Sequence, residues 1–77
     1  MMTRVLLIEP HGWPCQLQSC PPGLFMFGET LGFKSEYNLE PPYVVESGEI
    51  FWGGVHDDMD RALLTVQPCR TAWKVRP

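Results

Sequence analysis

Seventy-seven residues make one domain and no more, and a net charge of −3 excludes the basic footprint of a general nucleic-acid binder. Three Trp, four Phe, two Tyr and four Met are more large apolar surface than so short a chain buries easily. Part of that surface is expected at an interface with a partner or a second copy.

Thr3 to Ile8 is rich in Val, Leu and Ile without helical spacing and predicts a strand. Its apolar run is too short for a secretory leader and stops at Glu9-Pro10, and no stretch approaches membrane-spanning length. The three cysteines, Cys15, Cys20 and Cys69, are an odd count that fits a reducing compartment. The expectation is a soluble protein inside a cell.

Prolines and glycines then punctuate residues 9–23, which reads as an irregular segment because proline fixes φ and removes a backbone donor. Leu24–Phe27 and Leu31–Tyr37 predict a hairpin. Gly28-Glu29 between them suits a two-residue type II′ turn, whose first central position needs positive φ. On the second strand Leu31, Phe33, Ser35 and Tyr37 share one face, and Gly32, Lys34 and Glu36 the other. Glu40-Pro41-Pro42 breaks the chain again. Tyr43–Val45 and Ile50–Trp52 predict a second hairpin around Glu46–Glu49, ended by Gly53-Gly54. Asp57–Leu64 is the one helical candidate, capped by Asp57, with Asp60 three residues on. Leu64–Val66 and Thr71–Val75 predict two final strands parted at Pro68. The whole chain, 1–77, then forms a single small β domain. Its fold is a small twisted antiparallel sheet or partly open barrel of five to six short strands with one short helix.

Charge is unevenly spread. Glu29 to Asp60 holds eight acids and one base, whereas Arg61 to Pro77 holds four bases and no acid. A basic segment on an acidic body either folds back onto it, contacts an anion or is simply solvated.

Two runs carry a resemblance. Cys20-Pro21-Pro22-Gly23-Leu24-Phe25 continues through Gly28 to Leu31-Gly32-Phe33-Lys34-Ser35-Glu36-Tyr37, and Tyr43-Val44-Val45-Glu46-Ser47-Gly48-Glu49-Ile50-Phe51-Trp52-Gly53-Gly54 follows. An acidic segment with an Arg (Asp57 to Arg61) and a Leu-x-Val-x-Pro ending (Leu64 to Pro68) complete the pattern. It resembles a family of short, functionally uncharacterised bacteriophage and prophage proteins, over roughly Ser19 to Pro68. The resemblance implies a phage origin and expression in the host bacterial cytoplasm. It brings no established activity. By analogy with small accessory phage proteins it suggests counter-defence.

The best candidate site is Phe51-Trp52-Gly53-Gly54. Adjacent strand residues point to opposite faces, so one aromatic enters the core and the other meets a ligand, a subunit or a second layer. Either ring is able to stack on a base, and paired glycines permit close backbone approach. Arg61 or Lys34 is a candidate phosphate contact, with Tyr37 as a further stacking ring. A Lys34–Glu36 surface ion pair is the plainer role for that strand. Cys15, Cys20 and Cys69 with His11 or His56 offer a loose zinc set that lacks paired knuckle spacing, so no metal or other cofactor is expected. His56-Asp57-Asp58 has the residue types for acid–base work, but these acids cap a helix more naturally. No catalysis is expected. The reading is a phage counter-defence protein that sequesters a small anionic host signal, such as a nucleotide messenger. The alternative is an inhibitor that binds and blocks a host defence enzyme or nuclease. A homo-oligomer packed through sheet faces is expected, with no membrane partner and no direct nucleic-acid binding.

Overall fold

In the computed structural model, which describes residues 2–37 and 40–76, the β-branched and leucine side chains near the start form strand β1 (Thr3–Pro10). The strand runs two residues past the expected end. The segment that reads as irregular is also more ordered than its prolines suggest. It holds a two-residue strand, β2 (Cys15–Gln16), and a single 3-10 turn, Leu17–Ser19.

The hairpin forms as its turn chemistry predicts. β3 (Gly23–Phe27) and β4 (Thr30–Lys34) pair antiparallel with Phe27 opposite Thr30, leaving Gly28-Glu29 as the loop. Gly28 has φ 59° and, among the described residues, no non-glycine has positive φ, so Gly28-Glu29 carries the signs a type II′ turn requires. The second strand stops at Lys34 rather than Tyr37. The Ser35 hydroxyl accepts from the Tyr37 N–H at 3.1 Å, a local turn that competes with the ladder.

The second hairpin is reduced to β5 (Tyr43–Val44) on β4 and one bridge from Tyr43 to Ile50. Phe51 and Trp52 are therefore outside any regular strand. The Phe51 N–H still donates to the Pro42 carbonyl at 2.9 Å. Helix α1 (Asp58–Ala62) is capped by Asp57, whose carboxylate accepts from the Asp60 N–H at 2.8 Å.

Pro68 is where the sequence reading and the structure differ most. Instead of two strands parted at the proline, one twelve-residue strand, β6 (Thr65–Arg76), runs through it. A strand residue turns its N–H and its C=O to the same side. The Pro68 carbonyl accepts from the His11 N–H at 2.9 Å, so the missing donor faces the β1 side. There the ladder is already interrupted, because the neighbouring chain leaves at Pro10, opposite Cys69, and rejoins at Cys15, opposite Val66. A proline opposite a bulge removes no ladder bond.

The sheet is antiparallel throughout, in the order β1-β6-β3-β4-β5, with β2 also on β6. It is open and unclosed. Phe25, Phe51, Leu17, Cys20 and Val66 form a small core, flanked by Cys15, Phe27, Val44 and Leu64. Phe51 meets Phe25 and Phe27 edge-on at centroid distances of 5.1 and 5.6 Å, a favourable aromatic geometry. Gly32 lies across the ladder from Phe25, and a Cβ there would stand 2.3 Å from the Phe25 ring. The core ring occupies the space a side chain would take. Among the described residues no helix is long and apolar enough to cross a membrane.

Candidate functional site

The segment after β5 folds over the sheet and leaves an open groove of 570 Å³ between α1, the end of β4 and the Pro41-Pro42 stretch. Lys34, Tyr37, Trp52 and Arg61, four of the seven candidates, line it together. They come from sites up to 27 positions apart in the chain, so the grouping is a tertiary effect. The other three candidates are absent from the lining.

Phe51 is the clearest correction. It is 2% exposed and belongs to the core, where it cannot stack on a ligand. Its neighbour Trp52 points the other way and is 39% exposed. The division of labour between the two rings was readable from their adjacency, but which ring goes inward was not. Gly53 and Gly54, with φ 66° and 81°, form the tight turn that sends the chain from Trp52 into α1. The Val55 N–H donates to the Trp52 carbonyl across that turn at 3.4 Å, as a type I′ turn requires. At Gly53 a Cβ would also meet the Leu64 side chain at 2.3 Å. Turn geometry accounts for both glycines.

Neither cation of the groove is free. The Lys34 ammonium donates to the carbonyls of Leu17, Gln18 and Cys20 at 2.7, 3.2 and 2.6 Å. It holds the 3-10 turn against β4, in place of the surface pair with Glu36 that its strand position suggested. Three carbonyls are as many acceptors as an ammonium has protons. The Arg61 guanidinium is buried, 4.3 Å from the Trp52 ring centroid. It donates to the Asp58 carboxylate at 2.8 Å and to the Phe51 carbonyl at 3.4 Å. Glu40 and Asp58 add negative charge to the lining. The field in the groove is therefore balanced rather than positive.

The apolar part of the lining includes Pro41, Pro42 and Ile50, which sequence reasoning passed over as a chain break and a strand residue. A double proline is rigid and extended, which suits a groove wall, and that was the available signal. Tyr37 is 64% exposed and also lines a second hollow, of 360 Å³, with Pro22, Gly23 and Phe33. It stands as a ridge between two clefts. Burial pushes the Cys20 thiol up to about 11, with Cys15 adding to the effect. Such a thiol stays protonated at neutral pH and is a poor nucleophile. Among the described residues no group of three or more His, Cys, Asp or Glu is placed to hold a metal ion.

Compared with known protein families, curated proteins and solved structures, the chain matches none.

Proposed function

We propose that this protein is a non-catalytic counter-defence protein of bacteriophage origin that docks a segment of a host protein in the Tyr37–Trp52 groove. The observation that carries the reading is the state of the two cations. Lys34 and Arg61 are committed to backbone carbonyls and to Asp58, so the groove offers rigid aromatic and proline surface with little net attraction for an anion. Two adjoining clefts parted by an exposed tyrosine suit an extended chain with alternate side chains to seat. The phage origin rests on the sequence resemblance alone. A second reading, capture of a nucleotide messenger, is favoured by the placement of Arg61 and Lys34 beside Trp52. In that case a ligand phosphate must displace Asp58 from Arg61.

One experiment separates the two. A photo-crosslinking phenylalanine analogue at position 37 is expected to trap a single host protein in bacterial cells. That protein, once purified, is titrated against wild type, Trp52→Ala and Tyr37→Ala. Loss of an aromatic anchor costs about 2 kcal/mol or more, roughly 30-fold in affinity. Cyclic and linear nucleotides at millimolar concentration are expected to leave the Trp52 indole resonance unmoved. A saturable shift of that resonance by a nucleotide replaces the protein-docking reading with the second one. Failure of position 37 to crosslink any host protein overturns it.

A further inference from the structure

An exposed apolar surface lies away from the groove, on the ribbon formed by β1 and residues 69–76 of β6. Among the described residues β1 is hydrogen-bonded to β6 alone. The ribbon pairs the eight residues of β1 with eight of β6. Leu6, Ile8, Trp73 and Val75 share one of its faces and are each about half exposed. Two strands with an apolar face and nothing on it are marginal in water.

The ladder fixes which backbone groups of β1 are unused. The His11 N–H donates to the Pro68 carbonyl, just beyond the Pro10–Cys69 pair, so that pair is a non-hydrogen-bonded one. Pair types alternate along an antiparallel ladder. The pairs of Ile8, Leu6 and Arg4 are then of the same kind. The N–H and C=O of these three residues point away from β6, along an edge that no other described strand pairs.

We infer that this edge is a homodimer interface, in which β1 pairs antiparallel with β1 of a second copy about a two-fold axis at Leu6. A two-fold axis across such an edge is perpendicular to the sheet and keeps its faces, so Leu6 meets Leu6 of the second copy and Arg4 meets Ile8, in both directions. Every outward donor and acceptor from Arg4 to Ile8 is then used. The apolar faces of the two ribbons join into one four-stranded face.

Neighbouring registers are worse. An axis at Leu7 sets Arg4 opposite Pro10, which has no donor to give. An axis at Val5 brings the two Arg4 side chains to diagonal positions on one face, a like-charge contact. The other free edge, along β6, is guarded. Axes at Ala72, Trp73 and Lys74 oppose Arg70 to Lys74, Arg70 to Arg76 and Lys74 to itself. Charged residues of this kind are how an edge strand avoids pairing. β1 carries one cation in the same span and has no such guard.

A basic ribbon also fits a nucleic-acid groove in shape. Three of its four cations are already engaged, however. Glu9 holds Arg70 at 3.0 Å and Lys74 at 3.8 Å, and Arg4 lies 4.8 Å from the Trp73 ring centroid. The observations favour the second copy.

The test combines mass and amide exchange on the full chain. Sedimentation at 10 to 500 µM is expected to give about twice the 8.8 kDa chain mass. The Arg4, Leu6 and Ile8 amides are expected to be protected in the dimer and to lose protection on dilution. Leu6→Lys places two like charges on the axis at an exposed position and is expected to give a folded monomer. Trp73→Lys, on the same face but not on the paired edge, is expected to remain dimeric. Ile8→Lys serves in place of Leu6→Lys if the latter melts early. A monomer at 500 µM, unprotected Leu6 and Ile8 amides in a dimer, or a dimer broken by Trp73→Lys alone overturns the proposal. A monomer that binds duplex DNA with salt-dependent affinity also overturns it.

Discussion

In the body of the molecule Phe25, Phe51 and Val66 are shut off from water, whereas in the ribbon Leu6, Ile8, Trp73 and Val75 remain about half exposed. Both regions have strands with large apolar side chains, and both share β6. What separates them is a second layer. The segment from Phe51 to Leu64 closes over one face of the body's sheet and supplies Phe51 to its core. Among the described residues nothing equivalent reaches the ribbon, where β1 has only β6 for a neighbour. An apolar strand residue is buried only when something covers its face, so alternation along a strand tells which residues could be core and leaves open whether they are. Charge divides the same way. The body, residues 11–68, carries eight acids against Lys34 and Arg61, and the ribbon carries four bases against Glu9.

Gly32→Ala is the harshest way to attack the body. The new Cβ would lie 2.3 Å from the wholly buried Phe25 ring, which has no space to retreat into. Overpacking of this kind costs about 1–3 kcal/mol, and each kcal/mol lowers the melting temperature by roughly 4–8 °C in a domain of this size. Thermal denaturation followed by circular dichroism checks it. A melting temperature within a degree of wild type would mean that the body is not closed around Phe25.

Alkaline pH probes the same core more gently. The Cys20 thiol is raised from its ordinary value of 9.0 to about 11, chiefly by burial, so the native state holds this proton more tightly than the unfolded chain. The stabilisation is fully present below pH 9 and is lost as pH rises from 9 towards 11. Denaturant midpoints measured from pH 7 to 11 are expected to stay level to about 9 and then fall. Cys20→Ala should fall less steeply over that window, despite a lower starting stability from the lost packing. Equal slopes for the two proteins would place Cys20 in contact with solvent.

The smallest effect is expected in the ribbon. Glu9→Gln removes the partner of Arg70 and Lys74, both on a solvent-exposed surface. Exposed pairs contribute about 0–1 kcal/mol, and salt weakens them further. The melting temperature should move by no more than a few degrees at low salt and by less at high salt. A loss as large as that of Gly32→Ala would show the ribbon to be an integral part of the core.

Where a feature depends on neighbours in the chain, the residues alone determined it. Gly28 marks the turn because a type II′ position needs positive φ, and Asp57 caps α1 because its carboxylate reaches the amide three residues on. The strand character of Thr3–Ile8 and the mostly β fold follow from the same local preferences. The roles settled by distant partners were out of reach. Phe51 became core and Trp52 became groove wall because Phe25 and Phe27 lie beneath one and Arg61 beside the other. Lys34 became a clamp on carbonyls 14 to 17 positions away rather than an ion-pair partner two positions along. Pro68 passed through a strand because its missing donor happens to face the bulge between Pro10 and Cys15. A backbone angle or a cap is fixed by a few adjacent bonds, whereas burial and hydrogen-bond partners are fixed by whichever remote segment packs against the residue. Only the tertiary structure chooses that segment.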